Sequence, residues 1–136
     1  MKVLVAVNKK EIIDNFLVRG DVFIIEQNID YEIEFDGLDN DCVLFTAYIE
    51  DTPVGAARLY KNKVGRVATI KAYRKKGVAT SMMSYIEEYA KNNGFKELVL
   101  NAQLYVKDFY RHLGYTPTGD IFQEADIDHI KMFKTL

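Results

Sequence analysis

A strand, a basic turn and a long amphipathic helix follow one another in residues 66–90, and this stretch constrains the fold more than any other. Residues 67–70 are small or β-branched, as strand positions favour. From residue 78 the apolar residues change to helical spacing, with a main stripe formed by Val78, Met82, Ile86 and Tyr89. A strand that passes directly into such a helix predicts a sheet with this helix packed against it.

The turn between this strand and helix carries three cations, Arg74, Lys75 and Lys76, immediately ahead of Gly77. A helix that begins near Gly77 directs its unpaired N–H groups and the positive end of its dipole at this turn. Because Gly77 has no Cβ, a ligand can approach the backbone closely there. The turn is therefore a candidate site for a polyanion, most simply a pyrophosphate, although solvated cations ahead of a helix would give the same pattern.

The length and composition of the chain predict a single domain, residues 1–136, and exclude several classes of protein. No apolar run reaches the roughly 18 residues of a membrane span, and the N-terminus lacks the pattern of a signal peptide, so we expect a cytoplasmic protein without a membrane partner. Cys42 is the sole cysteine, which excludes an internal disulfide and a cysteine-rich zinc site. We predict that Cys42 is a small core residue and that no metal is bound.

Charge is distributed unevenly along the chain. Residues 20–57 contain ten acids and no Lys or Arg, whereas residues 58–76 contain eight bases and no acid. One interpretation is a basic pole for an anionic cofactor and an acidic pole for a cationic substrate; the other is two solvated faces that happen to differ. The basic run is too short, and the net charge of −2 too acidic, for a nucleic-acid partner.

The remaining elements predict an α/β or α+β fold. Periodicity and turn residues indicate a strand at 2–7, a helix from Asn8 to about Gln27, an acidic loop at 28–41, strands at 42–49, 54–60 and 64–70, a central helix ending at Gly94, a buried strand at 98–100, a short helix at 106–113, and strands at 115–118 and 129–135 separated by an irregular acidic segment. Because the central helix joins strands as a crossover, we expect a mixed central sheet with helices on both faces.

Several motifs, taken together, resemble one enzyme family. Arg74-x-x-Gly77-x-Ala79 is similar to the R/Q-x-x-G-x-G/A acyl-coenzyme-A loop of the GNAT superfamily of N-acetyltransferases. Residues 98–115 resemble the GNAT segment that ends in F-Y-x-x-x-G-F/Y, and residues 18–27, 55–59 and 129–132 resemble its small bacterial ElaA-like branch. The resemblance covers essentially the whole chain. It implies one GNAT domain that moves an acetyl group from acetyl-coenzyme A to a primary amine of a small molecule or peptide.

The resemblance also implies which residues meet the cofactor. The strands at 67–70 and 98–102 would form a splayed parallel pair, with backbone groups around Thr69 and Ile70 bonded to the pantetheine arm. The pyrophosphate would be held by the amides of four consecutive residues with three cations around them, namely Gly77, Val78, Ala79 and Thr80 with Arg74, Lys75 and Lys76. Asn101 and Phe109 are also expected at the cofactor.

Two residues are candidates for catalysis. Tyr110 occupies the family position whose phenol approaches the thioester sulfur, so the resemblance implies a general acid for the leaving thiolate; core packing is its alternative role. Glu26 is either the base, an anchor for a cationic substrate, or a solvated carboxylate at a helix end. Asn101 stands where this branch often has His, so no proton shuttle is assigned to it, and His129 is expected to be structural or to line the pocket. A non-catalytic acyl-coenzyme-A-binding module stays the alternative function, and the sequence leaves a homodimer open.

Overall fold

The computed structural model describes residues 1–136 and contains one seven-stranded sheet in the order β1-β2-β3-β4-β5-β7-β6. The strands are β1 (Lys2–Val5), β2 (Val43–Ile49), β3 (Thr52–Tyr60), β4 (Lys63–Thr69), β5 (Glu97–Gln103), β6 (Thr116–Glu124) and β7 (Ile127–Thr135). All neighbours are antiparallel except β4 and β5, which are parallel because a helix crosses over between them. The predicted mixed sheet is confirmed.

Four α-helices accompany the sheet: α1 (Lys9–Arg19), α2 (Tyr31–Glu34), α3 (Val78–Asn92) and α4 (Lys107–His112). Asn8 and Glu11 form a capping box at the start of α1. Gly20–Glu26 continues α1 as a π-helical segment, so the predicted helix has the correct extent but widens over its last seven residues. No helix has the length and apolar character that a membrane crossing requires.

The helices pack on both faces of the sheet, as the sequence predicts. Successive residues of β3 point to opposite faces. Ala56 packs in a small cluster with Val18 and Val22 of the first helical segment, whereas Ala57 belongs to the main core with Met82 of α3. The sheet is therefore the middle layer of three, and any opening in it joins two otherwise separate sides.

Such an opening lies between β4 and β5. Their ladder contains only the pairs Lys63–Val99 and Val64–Leu100, after which the strands diverge. The divergence coincides with an irregularity in the β3–β4 pairing, where Arg66 has a φ of 55°. A bulge of this kind bends the strand that carries it. We call the gap between residues 65–69 of β4 and 101–103 of β5 the β4–β5 opening; it matches the splayed pair that the family resemblance implies.

Three details differ from the sequence-based predictions. The prediction of an irregular acidic segment after residue 118 is wrong, because β6 continues to Glu124 and turns through Ala125 and Asp126 into β7. Both turn residues have positive φ, 52° and 60°, as a tight two-residue hairpin requires, but neither is the glycine that usually signals one. The acidic loop at 28–41 contains α2 and a short turn at Asp39–Asp41. Cys42 is half-buried ahead of β2, outside the core, and burial raises the pKa of its thiol.

Candidate active site

A cavity of about 990 Å³ extends through the β4–β5 opening. Its walls on the α3 face include Tyr73, Gly77 and Tyr110, and its walls on the α1 face include Phe23 and Gln27. The diverging strands supply its waist, from Val67, Ala68 and Thr69 on one side and Asn101, Ala102 and Gln103 on the other. A molecule bound here would therefore reach both faces of the sheet.

At one end of the cavity, the backbone ahead of α3 forms a concave group of N–H donors. Gly77 has a φ of 82° and is the N-cap of α3, which has no capping side chain. The amides of Val78, Ala79 and Thr80 make no hydrogen bond within the chain. A Cβ built on Gly77 meets no atom within 4 Å, so the space beside the Gly77 backbone is open. Unpaired amides at the positive end of a helix dipole favour an anion.

The three cations of this loop differ in their surroundings. Lys75 and Lys76 are exposed, and the Lys76 Nζ lies 5.5 Å from the centre of the Tyr73 ring. Arg74 is bound to the protein: its Nε donates to the Thr69 carbonyl oxygen at 3.0 Å, and its two terminal nitrogens donate to the Glu26 carboxylate at 2.6 Å each. Arg74 therefore ties the loop ahead of α3 to the end of the π-helical segment.

This ion pair bears on the role of Glu26. Hydrogen bonds from Arg74 hold the pKa of the Glu26 carboxyl below its usual range, which weakens it as a base. Glu26 is also absent from the walls of the cavity. Its roles as base or substrate anchor stay predictions, and the bidentate contact with Arg74 weighs against both, because the carboxylate already has a cationic partner.

The predicted backbone contacts with a pantetheine arm divide between two places. Thr69 lines the cavity, although its carbonyl oxygen already accepts from Arg74. Ile70 lies outside the cavity and borders a separate surface groove with Phe16, and its N–H donates to the Val54 carbonyl. The edge of β4 that borders the β4–β5 opening ends one residue earlier than the sequence-based prediction.

The surroundings of Tyr110 are compatible with both roles that the sequence left open, and its role as general acid stays a prediction. Its ring is buried and packs edge-to-face against Phe109 and Tyr115, with centroid distances of 5.1 and 5.9 Å. Every fully buried side-chain polar atom in the chain has a hydrogen-bond partner, and the Tyr110 hydroxyl has none. This hydroxyl therefore retains accessible surface, and Tyr110 lines the cavity. Burial raises the pKa of the phenol, which keeps it protonated at neutral pH.

A polar cluster lies on the face of β5 opposite the core that contains Tyr110, and the sequence-based reasoning did not predict that its residues meet. It consists of Asn101, Glu124 and His129, all of which line the cavity. Asn101 Nδ2 donates to Glu124 Oε2 at 3.3 Å, and His129 Nδ1 lies 2.7 Å from the Ile127 carbonyl oxygen. The signal was present in β5, where Asn101 and Gln103 alternate with apolar residues, but Glu124 fell in the segment that was taken as irregular.

The amides of Gln27 and Gln103 meet on the α1 side of the β4–β5 opening and form part of the cavity wall. Their side chains exchange two hydrogen bonds, at 3.4 and 2.9 Å, and both residues line the cavity. This reciprocal contact holds the end of the π-helical segment against the end of β5. Together with the contact between Glu26 and Arg74, it fixes that segment to the end of β5 and to the loop that follows β4.

At the opposite end of the cavity lies a cluster of alternating charges, which we call the charge network. It comprises three arginines and three acids, namely Arg19, Arg58 and Arg66 with Glu34, Asp36 and Asp39. Glu34 and Asp36 line the cavity, but each forms ion pairs with arginine. The acidic segment therefore gives the cavity no unpaired carboxylate, which removes the simplest form of the predicted acidic pole.

The charge network predicts a specific dependence of stability on pH. Hydrogen bonds from Arg58 hold the pKa of the Asp36 carboxyl well below its usual range. Such a carboxylate stabilises the fold above its unfolded pKa of about 4, and this contribution is lost as pH falls through the lower folded pKa. We expect Asp36→Asn to lower the free energy of unfolding most near neutral pH, and this deficit to shrink steadily below about pH 4.

Urea denaturation of wild type and variant between about pH 3 and 7 measures this difference. Asp120→Asn is the matched control, because Asp120 is exposed on β6 and has no ion-pair partner. Its effect should be small and show no such trend. A deficit for Asp36→Asn that is constant across this range would contradict the stabilising ion pair.

Comparison with known proteins gives consistent matches. The profile of the acetyltransferase (GNAT) domain family matches residues 21–136. YjcF of Bacillus subtilis, which is described as an uncharacterized N-acetyltransferase, is 34% identical over 139 residues, which cover 98% of this chain and 99% of YjcF. A crystal structure of a protein from Lactobacillus plantarum, described as an N-acetyltransferase, superposes with a TM-score of 0.93 at 28% identity, and covers 99% of this chain and 97% of that one.

Escherichia coli ElaA connects the chain to the branch that the sequence motifs resemble. ElaA is 31% identical over 124 residues, which cover 85% of this chain and 81% of ElaA. Its crystal structure superposes with a TM-score of 0.86 over 98% of this chain and 97% of ElaA. On these grounds, and on a seven-stranded sheet that opens between β4 and β5 ahead of a basic loop, the chain belongs to the GNAT acetyltransferase family, in the branch that includes ElaA.

Proposed function

We propose that this protein transfers an acetyl group from acetyl-coenzyme A to a primary amine of a small molecule or peptide by direct attack. The observation that carries the proposal is one continuous cavity through the β4–β5 opening, with unpaired amides at its α3 end and the Tyr110 phenol in its wall. A cofactor and an acceptor that enter from opposite faces of the sheet would meet at the waist of this cavity.

The residues present fit coenzyme A. Open space in front of Gly77, the unpaired amides of residues 78–80 and the neighbouring Lys75 and Lys76 suit a pyrophosphate. The backbone of residues 67–69 and the side of Asn101 border the gap in which the pantetheine arm would lie, and Phe109 adds an apolar wall. The bound coenzyme would supply the acetyl group as a reactive thioester; the chain supplies its position and the protons.

The reaction poses two proton problems. An alkyl amine has a pKa near 10, so at pH 7 only about one molecule in 10³ is neutral, a deficit of roughly 4 kcal/mol that a base must help to overcome. The leaving thiolate then needs a proton, and we assign that donation to Tyr110. Burial raises the pKa of the Tyr110 phenol, so the phenol is protonated at neutral pH and carries the proton that the thiolate needs.

Binding of coenzyme A to the loop ahead of α3 is tested by one substitution with an internal control. Gly77→Ala should weaken coenzyme A binding by about tenfold or more, because its Cβ would occupy open space beside a backbone that the pyrophosphate is expected to approach closely. Gly94→Ala should leave binding unchanged. Gly94 has nearly the same φ, 83° against 82°, and equally open surroundings, but it follows the C-terminal end of α3.

The two variants should lose similar stability, about 1 kcal/mol, because both force a side chain into the left-handed conformation. Any difference in affinity therefore reports on the ligand site rather than on backbone strain. Isothermal titration calorimetry with coenzyme A gives the affinities, and thermal denaturation gives the stabilities. Equal affinities in the two variants would exclude the backbone cradle at residues 77–80.

Turnover is tested by thiol release from acetyl-coenzyme A in the presence of simple primary amines, with mass spectrometry of the acetylated product. Release that depends on the amine supports the enzyme. Tight coenzyme A binding without thiol release from any amine would instead support the alternative, a non-catalytic acyl-coenzyme-A-binding module on the same fold.

A further inference from the structure

We propose that the acceptor amine binds at the polar cluster, with its ammonium group against Glu124, and that His129 Nε2 takes the proton that makes the amine nucleophilic. The inference rests on the proposed function and names the acceptor side of the same site. It assigns to His129 and Glu124 the tasks for which Glu26, held by Arg74, is poorly placed.

The strand register brings the polar cluster onto one face of the sheet. His129 pairs with Gln103 of β5 on one side and with Phe122 of β6 on the other. Asn101 and Glu124 each lie two residues from one of these partners, so all three side chains of the cluster share that face. Their neighbours Leu100, Ala102 and Ile130 point the other way, into the core that contains Tyr110.

The proposed acid and base therefore lie on opposite faces of the sheet. Tyr110 and His129 both line the cavity, and the β4–β5 opening separates them. A thioester in this opening would have its sulfur near the phenol and its carbonyl carbon accessible from the His129 side. The amine would then approach one face of the carbonyl while the thiolate leaves towards the phenol, so the two groups would not compete for the same space.

The surroundings of His129 leave one ring nitrogen available. Nδ1 lies 2.7 Å from the Ile127 carbonyl oxygen, which can only accept, so Nδ1 carries the hydrogen of the neutral ring and Nε2 carries the lone pair. The ring stacks on Phe122 with a centroid distance of 5.9 Å and an interplanar angle of 26°. Every fully buried side-chain polar atom in the chain has a hydrogen-bond partner, whereas Nε2 has none. Nε2 therefore retains accessible surface.

The charges of the cavity single out Glu124 as the site for a cation. Three carboxylates line the cavity, those of Glu34, Asp36 and Glu124. The first two are paired with arginines, whereas Glu124 forms no ion pair and accepts only the neutral amide of Asn101. An ammonium group is therefore expected to bind at Glu124 rather than at the acid-rich segment 28–41.

The protons balance along this path. The acceptor enters with three protons on nitrogen, and the product amide keeps one. His129 Nε2 takes the first and passes it to solvent, after which the nitrogen lone pair attacks the carbonyl carbon, the C–N bond forms and the C–S bond breaks. Tyr110 protonates the sulfur, and the second proton lost from nitrogen restores the phenol through solvent.

Two acceptors of different basicity separate this role from a structural one. n-Butylamine is protonated at neutral pH and needs a base, whereas trifluoroethylamine is already largely neutral. His129→Asn keeps a donor for the Ile127 carbonyl but removes Nε2. We expect His129→Asn to lower kcat/KM for n-butylamine about 10²-fold and to lower kcat/KM for trifluoroethylamine less than about threefold. Glu124→Gln should raise KM for n-butylamine about tenfold, with kcat nearly unchanged.

Matched controls exist in the chain. His112→Asn removes the other histidine, which is exposed, lies outside the cavity and also contacts a backbone carbonyl through Nδ1. Asp128→Asn removes an exposed carboxylate of β7 that lies outside the cavity. Both should retain wild-type kinetics with both amines. Calorimetry with coenzyme A verifies that every variant is folded. If His129→Asn does not fold, His129→Gln takes its place.

The outcomes distinguish this inference from the proposed function. If the wild-type protein releases no thiol with n-butylamine and none with trifluoroethylamine, both the proposed function and this inference are overturned. Wild-type turnover with equal losses for the two amines in the His129 variant would show a structural role and overturn the base assignment. An unchanged KM for n-butylamine in Glu124→Gln would overturn the ammonium site.

Discussion

Replacing Tyr110 with phenylalanine is expected to lower turnover on the best primary amine about 10²-fold or more, while coenzyme A binding stays near the wild-type value. The reason is that Tyr110→Phe removes one proton donor and little else. The ring keeps its edge-to-face contacts with Phe109 and Tyr115, and no group in the chain loses a hydrogen bond. Stability should therefore change little, because no buried polar partner is left unsatisfied.

Tyr115→Phe is the matched control for this experiment. Tyr115 is the buried neighbour of Tyr110 and also has a raised phenol pKa, but its hydroxyl points to Glu87 at 3.5 Å and it does not line the cavity. Its variant should keep full turnover. Steady-state thiol release and calorimetry measure the two effects. Near-wild-type turnover of Tyr110→Phe would show that Tyr110 acts only in core packing.

The residual activity of Tyr110→Phe should also respond to the leaving group. A thiolate that departs without a donor depends on its own stability, so thioesters of more acidic thiols should be impaired less by the substitution. If the substitution affects all thioesters equally, its effect lies in positioning rather than in proton donation. This comparison uses the same protein and the same amine, and it requires only the acyl donor to change.

Features set by local sequence were predicted well. The positions of α3 and of the basic loop ahead of it follow from hydrophobic periodicity and from the charged residues before Gly77, both of which are recognisable within a few residues. The left-handed conformation of Gly77 was not predicted. The mixed sheet and the GNAT family followed from the order of such elements and from motifs, and both are confirmed. These are short-range properties, which tertiary contacts seldom reverse.

Features that depend on distant contacts were not readable. Arg74 appeared as a free cation, and its partner Glu26 lies 48 residues earlier in the chain. The polar cluster could not be predicted as a unit because its residues meet only through the register of β5, β7 and β6. That register depends on the β6–β7 hairpin, and its turn residues, Ala125 and Asp126, include no glycine to indicate a turn. The same limit applies to the acidic segment, whose partners Arg19 and Arg58 lie just outside the window that looked purely acidic.

The largest loss of stability is expected from Arg19→Met. The Arg19 side chain has no exposed surface, and its guanidinium donates to Glu34 at 2.8 Å and to Asp39 at 2.8 Å. It also faces the rings of Phe16 and Phe35, 5.3 and 4.9 Å from their centres. Methionine fills similar space but leaves the buried Glu34 carboxylate with fewer donors. Breaking a buried ion pair on one side costs about 3–5 kcal/mol, and we expect a loss of that order here.

The same argument predicts how this loss can be reversed. Burial already raises the pKa of Glu34, while Arg66 and Arg19 act to lower it. Without Arg19 the pKa of Glu34 in the folded state should rise further above its unfolded value, so the deficit of Arg19→Met should shrink as pH falls and Glu34 becomes protonated. The double variant Arg19→Met/Glu34→Gln should recover more than half of the lost stability at neutral pH, because the second substitution removes a buried charge that has lost one of its two arginine partners.

Urea denaturation at several pH values measures the stability of both variants, and Arg111→Met is the control. Arg111 forms an exposed ion pair with Asp108 at 3.7 Å, and its loss should stay within about 0.5 kcal/mol of wild type. If Arg19→Met is as mild as this control, the charge network does not stabilise the fold. If the double variant is no more stable than Arg19→Met, the cost lies in lost packing against Phe16 and Phe35 rather than in an uncompensated carboxylate, because only the charge argument predicts recovery.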